Sequence, residues 1–316
     1  MNKPRRAPRR RVDGVLLLDK PLGISSNAAL QKARWLFNAE KAGHTGTLDP
    51  LATGLLPLCF GEATKFSGEL LDADKSYRAT VKLGVTTDTA DAEGRVLETR
   101  PVAVTPDQLA AALARFVGDI EQVPPMYSAL KRDGKPLYEY ARAGIELERA
   151  ARRVTIADLR LLSFIGDTLE IEVDCSKGTY IRTLAADTGE VLGCGAHLTA
   201  LRRTRIGRLL LGDALTLEHI ESLAADARDP CLAPVDSLVE NLPRAELVAA
   251  EADRVNHGQA VRREGLAGER WRLYGPDGDF LGLAELTADG WLQPKRLLSS
   301  NADGATSGQQ SGATSA

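Results

Sequence analysis

The stretch Gly43–Pro57, G-H-T-G-T-L-D-P-L-A-T-G-L-L-P, constrains this chain more than any other. It holds three glycines (Gly43, Gly46, Gly54), two prolines (Pro50, Pro57) and a single acid, Asp49. Gly and Pro at this density impose a shaped turn, because one frees the backbone and the other fixes it. A solvated loop carries more charge. Asp followed by Pro is a common helix start, so Asp49 can cap one turn through Leu51, Ala52 and Thr53, closed by Gly54. A cap also presents its carboxylate at a fixed place, which a reactive group needs. The spacing leaves both roles open.

At 316 residues the chain is long enough for one large domain and a small one. Hydrophobic content of 43% and charged content of 26% are those of an ordinary globular protein. No run of about 18 apolar residues is present. The basic N-terminus lacks the apolar stretch of a signal peptide, so a cytoplasmic location is expected. Cys59, Cys175, Cys194 and Cys231 form no C-x-x-C pair. With the scattered histidines they give no zinc-ligand spacing, so free thiols and no metal are expected.

A net charge of −3 weighs against a nucleic-acid partner, but distribution matters more. Lys3, Arg5, Arg6, Arg9, Arg10 and Arg11 crowd the N-terminus, which reads as a disordered basic arm over residues 1–11. Arg149, Arg152 and Arg153 form a second group, and Arg202, Arg203, Arg205 and Arg208 a third. Each is either a solvated face or a patch for phosphates, and three of them on an acidic chain favour phosphates.

In chain order, Gly14–Leu18 reads as a buried strand and Asp19–Gly23 as a turn. Ser25 or Ser26 caps a helix reaching Phe37. Tyr77, Ala79, Val81, Leu83 and Val85 alternate with polar or small residues, which predicts a half-buried strand. The acidic turn Thr86–Gly94 lacks the ligand spacing of a calcium loop. Thr105, Pro106 and Gln108 predict a capping box, with Leu109, Leu113 and Phe116 inward. Val123–Arg153 is basic, bears tyrosines and looks irregular, with a short helix from Pro136 to about Ala143. Val154–Phe164 and Thr168–Cys175 predict a hairpin, followed by a helix that Gly193 ends. A further helix is expected over Leu217–Ala225. Beyond Asn241–Pro243, short strands at Val255–Val261, Trp271–Tyr274 and Phe280–Leu286 predict a small β-barrel. Residues 299–316 read as a disordered Ser/Gly/Ala/Gln tail.

Four motifs carry a family resemblance. The run A-G-H-T-G-T-L-D-P-L-A-T-G-L-L-P resembles the active-site loop of pseudouridine synthases of the bacterial TruB type. D-K-P-x-G-x-S-S at Asp19–Ser26 and C-S-x-G-T-Y-I-R-x-L at Cys175–Leu184 are similar to two more signatures of that family, and Gly193–Arg203 to a third. The resemblance covers Gly14–Gly207 closely and the tail loosely. It implies an α+β fold: a mixed, largely antiparallel central sheet with flanking helices, and a small PUA-like C-terminal barrel. It implies a catalytic domain over residues 12–240 with an RNA-gripping thumb at 124–153, and an RNA-binding domain at 241–298.

The implied reaction turns uridine 55 of the tRNA TΨC arm into pseudouridine, with no cofactor and no metal. By the same resemblance Asp49 is the nucleophile, Arg182 its ion-pair partner and Tyr77 the residue that stacks on the target base. His44, Tyr180, Leu201 and Lys20 would line the substrate. The tRNA stem-loop is the expected partner, with no obligate protein partner, no membrane and a monomeric enzyme. The residues alone also allow Tyr77 as plain core, Arg182 as a helix-start arginine and Lys20 as an exposed turn lysine. A non-catalytic RNA-binding protein on the same scaffold is the rival. It would keep the basic clusters without needing Asp49, Tyr77 and Arg182 together.

Overall fold

The computed structural model describes residues 8–299. The chain divides into two compact units, after Leu238. The expected disorder of residues 1–7 and 300–316 lies outside the described residues.

The first unit starts with β1 (Gly14–Lys20), α1 (Ser26–Leu36), the short β2 (Ala42–His44) and β3 (Ala52–Phe60). β4 (Lys75–Leu83) follows, then a ribbon of β5 (Val85–Thr87) and β6 (Val96–Thr99). Next come α2 (Pro106–Ala114) and β7 (Gly118–Gln122). The basic segment holds β8 (Lys131–Arg132), β9 (Lys135–Pro136) and α3 (Leu137–Arg142). β10 (Arg152–Ile165) and β11 (Thr168–Cys175) make the hairpin, and α4 (Ile181–Val191) and β12 (Ala196–Ile206) follow. β13 (Leu209–Leu210), β14 (Leu215–Thr216) and α5 (Leu217–Ser222) complete the main elements.

The main sheet runs β14-β1-β3-β12-β4-β11-β10-β7, with β2 and β13 attached to β3 and β12. Two of its pairings are parallel, β1 with β14 and β3 with β12. The rest are antiparallel, so the sheet is mixed and largely antiparallel as expected. Period-two burial follows the sequence pattern. Tyr77, Ala79, Val81 and Leu83 turn inward on β4, and Leu169, Ile171, Val173 and Cys175 on β11. β3 is buried at every position from Gly54 to Phe60, because other elements cover both of its faces.

Helices close the core. The Ser25 hydroxyl accepts the Ala28 N–H at 3.1 Å and starts α1, whose Ala29, Leu30, Ala33 and Leu36 are buried. At α2 the capping box is complete. Gln108 N–H donates to the Thr105 hydroxyl at 3.3 Å, and Thr105 N–H donates to Gln108 Oε1 at 2.9 Å.

Several expectations change. Asp49 caps no helix: Ala52 N–H closes a tight turn on the Asp49 carbonyl at 3.0 Å, and Ala52 already belongs to β3. Asp19 and Lys20 are not in a turn but remain in β1, paired with Leu55 and Gly54. Arg10 is not part of a free arm. Its backbone bridges Asn38 and Glu40, and its guanidinium holds Asp229 at 2.5 and 2.7 Å. Three members of the third arginine group are engaged inside the protein, and Arg208 is exposed. Arg202 grips Asp19 at 2.6 Å, Arg205 meets Asp174 at 3.1 Å, and Arg203 is buried. Successive residues of a strand point to opposite faces, and each face here supplied its own internal partner.

The second unit is a curled five-stranded sheet, a PUA-like half-barrel. It contains β15 (Arg244–Glu246), α6 (Ala249–Asn256), β16 (Val261–Arg262), β17 (Arg270–Tyr274), β18 (Phe280–Leu286) and β19 (Trp291–Leu297). Its strand order is β15-β17-β18-β19-β16. Val255 and Asn256, expected in a strand, end a helix. Ala252 and Val255 fall three apart and are buried together, which is helical spacing.

Candidate active site

Asp49 is held by clamps on both sides. The buried Ser26 hydroxyl donates to the Leu48 carbonyl at 2.9 Å and accepts the Leu48 N–H at 2.7 Å. Gly23 N–H donates to the Pro50 carbonyl at 2.9 Å. The D-K-P-x-G-x-S-S segment thus positions the loop through its serine and glycine.

Arg182 reaches Asp49 from the first turn of α4. Its Nη2 lies 3.0 Å from Asp49 Oδ2, while Nη1 lies 3.5 Å from Asp91 Oδ2. The same guanidinium donates to the carbonyls of Tyr127 at 2.6 Å and Thr89 at 3.2 Å. Only 6% of Arg182 is exposed, so its fork has one orientation. Burial raises the Asp49 carboxyl above its usual range. Arg182 and Lys20 pull it down, and Asp91 pushes it further up. Desolvation therefore outweighs the arginine, whereas the pairing alone would have held the acid low.

Below Asp49 the sheet register aligns a row of side chains. Lys20 on β1 pairs with Gly54 on β3, Gly54 with Arg203 on β12, and Arg203 with Tyr77 on β4. These positions share one face. Gly54 contributes no side chain to the row, and the Arg203 backbone packs against the place a Cβ would take. Lys20 is fully buried, not an exposed turn lysine. Its Nζ donates to the carbonyls of Ile24 at 2.7 Å and Pro21 at 2.8 Å. Burial lowers its pKa to about 8, against the attraction of Asp49 and Glu93. Tyr77 is 8% exposed, and burial raises its phenol, opposed first by Arg203.

The remaining expected residues lie around this group. His44 ends β2, pairs with Leu58, and leaves its buried Nδ1 without a hydrogen-bond partner among the described residues. Burial lowers the His44 imidazole. Tyr180 precedes α4; its N–H donates to Gln122 Oε1 at 3.0 Å. Leu201 is half-buried on β12, beside Ala52 and Ala79. An ion pair thus links Asp49 with Arg182, shared register links Lys20 with Tyr77, and the charge of Asp49 acts on both Lys20 and Tyr77.

Some members went unnoticed in the sequence. Asp91 sits in the acidic turn, which fits the T-D-T-x-D-x-x-G pattern of the same family but carries no expected role, and its carboxylate backs Arg182. It is itself fixed by the Thr89 hydroxyl at 2.5 Å and Glu93 N–H at 3.1 Å. Ser26, Gln122 and Arg203 were also missed. Its place in a turn of three acids, two residues after Thr89 and three before Gly94, is the signal the sequence offers for Asp91.

The arrangement unites a fixed, half-buried carboxylate, a guanidinium that orients it, and a buried phenol. Residues 34–181 match the TruB family pseudouridylate synthase N-terminal domain. Residues 182–240 match the tRNA pseudouridylate synthase B C-terminal domain, and 243–298 the pseudouridine synthase II TruB C-terminal model. The chain is 63% identical over 298 residues to tRNA pseudouridine synthase B of Aromatoleum aromaticum, covering 94% of this chain and 96% of that one. It is 61% identical over 305 residues to the Chromobacterium violaceum enzyme of the same name, covering 96% and 99%. A solved Cbf5–Nop10–Gar1 complex aligns with a TM-score of 0.68 at 27% identity, over 88% of this chain and 79% of that one. An H/ACA RNP bound to a substrate RNA containing 2′-deoxyuridine shares the fold, at a TM-score of 0.69 and 23% identity over 90% and 85%. With near-full-length identity of this order, and an α+β fold shared with those structures, the chain belongs to the TruB family of pseudouridylate synthases.

Proposed function

We propose that this protein is a tRNA pseudouridine synthase that isomerises uridine 55 of the TΨC arm, with Asp49 as its nucleophile. The observation that carries this is the Asp49–Arg182 contact of 3.0 Å, made by a carboxylate whose loop is pinned on both sides. The relatives named tRNA pseudouridine synthase B support the substrate class. Asp49 opens the bond between uracil N1 and ribose C1′, by attack at C1′ or by elimination to a glycal. The base turns and rejoins through C5, and the C5 proton leaves. Arg182 orients the carboxylate throughout. Tyr77 stacks on the flipped base, at a flipping cost of a few kcal/mol that stacking partly offsets. His44, Tyr180, Leu201 and Lys20 surround the nucleotide. The segment 124–153 grips the RNA. It presents Lys135 over the Tyr140 ring at 4.8 Å and Arg142 over the Tyr138 ring at 5.3 Å. The enzyme works as a monomer in the cytoplasm; no helix among the described residues is long and apolar enough to cross a membrane.

The test is release of tritium from tRNA transcript labelled at C5 of uridine, by the parent and by Asp49→Ala. Release by the parent only, with tRNA binding kept by the variant, is expected. Tight binding without release by the parent would refute the isomerase. Equal release by both would place the chemistry elsewhere.

A further inference from the structure

The isomerisation outlined above leaves Arg203 unused. Its side chain is 1% exposed. Nε donates to the Leu55 carbonyl at 2.8 Å, and Nη2 has no acceptor among the described residues. Its neighbours Arg202 and Arg205 each hold a carboxylate, Asp19 and Asp174, while Arg203 forms no ion pair among the described residues. A buried cation without a counter-charge is costly, so a fold that retains one leaves a task to account for.

The groups near it narrow that task. Nη1 lies 3.9 Å from where a Cβ on Gly46 would stand, so the guanidinium reaches the Asp49 loop. Lys20 shares its row and is a second cation, which Arg203 disfavours. His44 is likewise disfavoured as a cation by Arg203. Tyr77 is its direct cross-strand partner, buried, and carries the group here able to become negative beside it.

Resting on the isomerase reading, we propose that Arg203 is a positioning residue that acts through Tyr77. Its guanidinium orients the Tyr77 hydroxyl across the strand pair and balances the negative charge that develops there during proton transfer from C5. The step balances without a further reactant. The Tyr77 O–H gives its proton to uracil N1 once the N1–C1′ bond has broken. After the C5–C1′ bond forms, the phenolate takes the C5 proton, and the C–H electron pair restores the ring double bond. The net transfer is from C5 to N1, and Tyr77 ends as it began. The other titratable groups near Tyr77 are Asp49 on its loop, Cys175 on β11, Lys75 on β4 itself and Lys20 on β1. Cys175 and Lys75 are respectively a thiol pushed up to about 11 by burial and an ammonium bound by the carbonyls of Leu71 at 3.0 Å and Ala73 at 2.5 Å.

The test replaces Tyr77 by 3-fluorotyrosine in the full chain and follows its fluorine resonance through pH. Arg203→Met, Arg203→Gln and Arg203→Lys are compared with the parent. Either neutral variant should raise the titration midpoint by about one unit or more, the effect of losing an adjacent opposite charge. Arg203→Lys should stay near the parent. Arg203→Gln serves if Arg203→Met does not fold. An unchanged midpoint in a folded neutral variant would overturn the proposal. In single-turnover tritium release the neutral variants should lose about 10²-fold in rate with tRNA affinity kept, and Arg203→Lys should recover part of it. In a Tyr77→Phe background the same changes should cost nothing more; a full second loss there would overturn the proposal. The fluorine titration needs no turnover, so a parent that releases no tritium would count against the isomerase reading alone.

Discussion

Gly54→Ala tests how the fold builds the site. Gly54 stands at a φ of +99°, between Lys20 on one side and Arg203 on the other. A Cβ there would lie 2.3 Å from the Arg203 carbonyl oxygen and 2.8 Å from the Arg203 nitrogen. Both are backbone atoms, so no rotamer change relieves the clash. Forcing an L-residue into the left-handed region costs about 1–2 kcal/mol. Overfilling a packed interior adds about 1–3 kcal/mol. The expected loss is then about 2–5 kcal/mol, near 5–15 °C in melting temperature for a domain of this size. Calorimetry on the full chain, following the transition of the first unit, reads it. Gly68→Ala is the control, since nothing lies within 4 Å of a Cβ there. It should move stability by no more than about 0.5 kcal/mol. Because the clash falls on the backbone that carries Arg203, Gly54→Ala should also slow tritium release at temperatures where the variant stays folded. Melting within about 2 °C of the parent would show that β3 and β12 can separate without penalty. The row Lys20–Gly54–Arg203–Tyr77 would then be a looser arrangement than argued.

Three further expectations follow the same logic. Arg182→Met removes the strongest influence holding the Asp49 carboxyl down, so the acid limb of the single-turnover rate should move to higher pH; an unmoved limb would separate Arg182 from Asp49 ionisation. Lys20 titrates at about 8 in the fold and at the ordinary 10.5 when unfolded, so between these values the unfolded chain binds the extra proton. Stability from this group should therefore rise with pH across that window, by at most about 3 kcal/mol, and urea unfolding of Lys20→Met should lack that rise. Thr105→Ala breaks the capping box of α2 and should cost about 1 kcal/mol in the same urea assay with tritium release unchanged; no loss would mean that α2 is held by packing alone.

What the sequence disclosed depended on distance along the chain. The alternation of β4 and β11 and the Thr105 box are written within a few residues, and the structure reproduces them. The Asp-Pro pair is an equally local signal, yet it failed. Ala52 and Thr53 are drawn into the sheet by β12, with Leu201↔Ala52 and Arg202↔Thr53 in register, and β1 pairs the strand from Gly54 to Phe60. A helix cap at Asp49 would break that pairing. The candidate site shows the same division. Asp49, Tyr77 and Arg182 stand out because the resemblance gives each of them a role. Asp91 and Arg203 lie in similar stretches without a role, since their meaning lies in their partners. The run Arg202-Arg203-Thr204-Arg205 reads as a basic cluster until the strand order is known. β12 then turns Arg202 toward Asp19 and Arg203 toward Tyr77, and a bulge between Arg203 and Arg205 turns Arg205 toward Asp174. An arginine count therefore says little about phosphate binding until each guanidinium has been traced to an acid. Tracing them here leaves one buried guanidinium without an acid among the described residues, beside the phenol to which the proposed reaction gives a role.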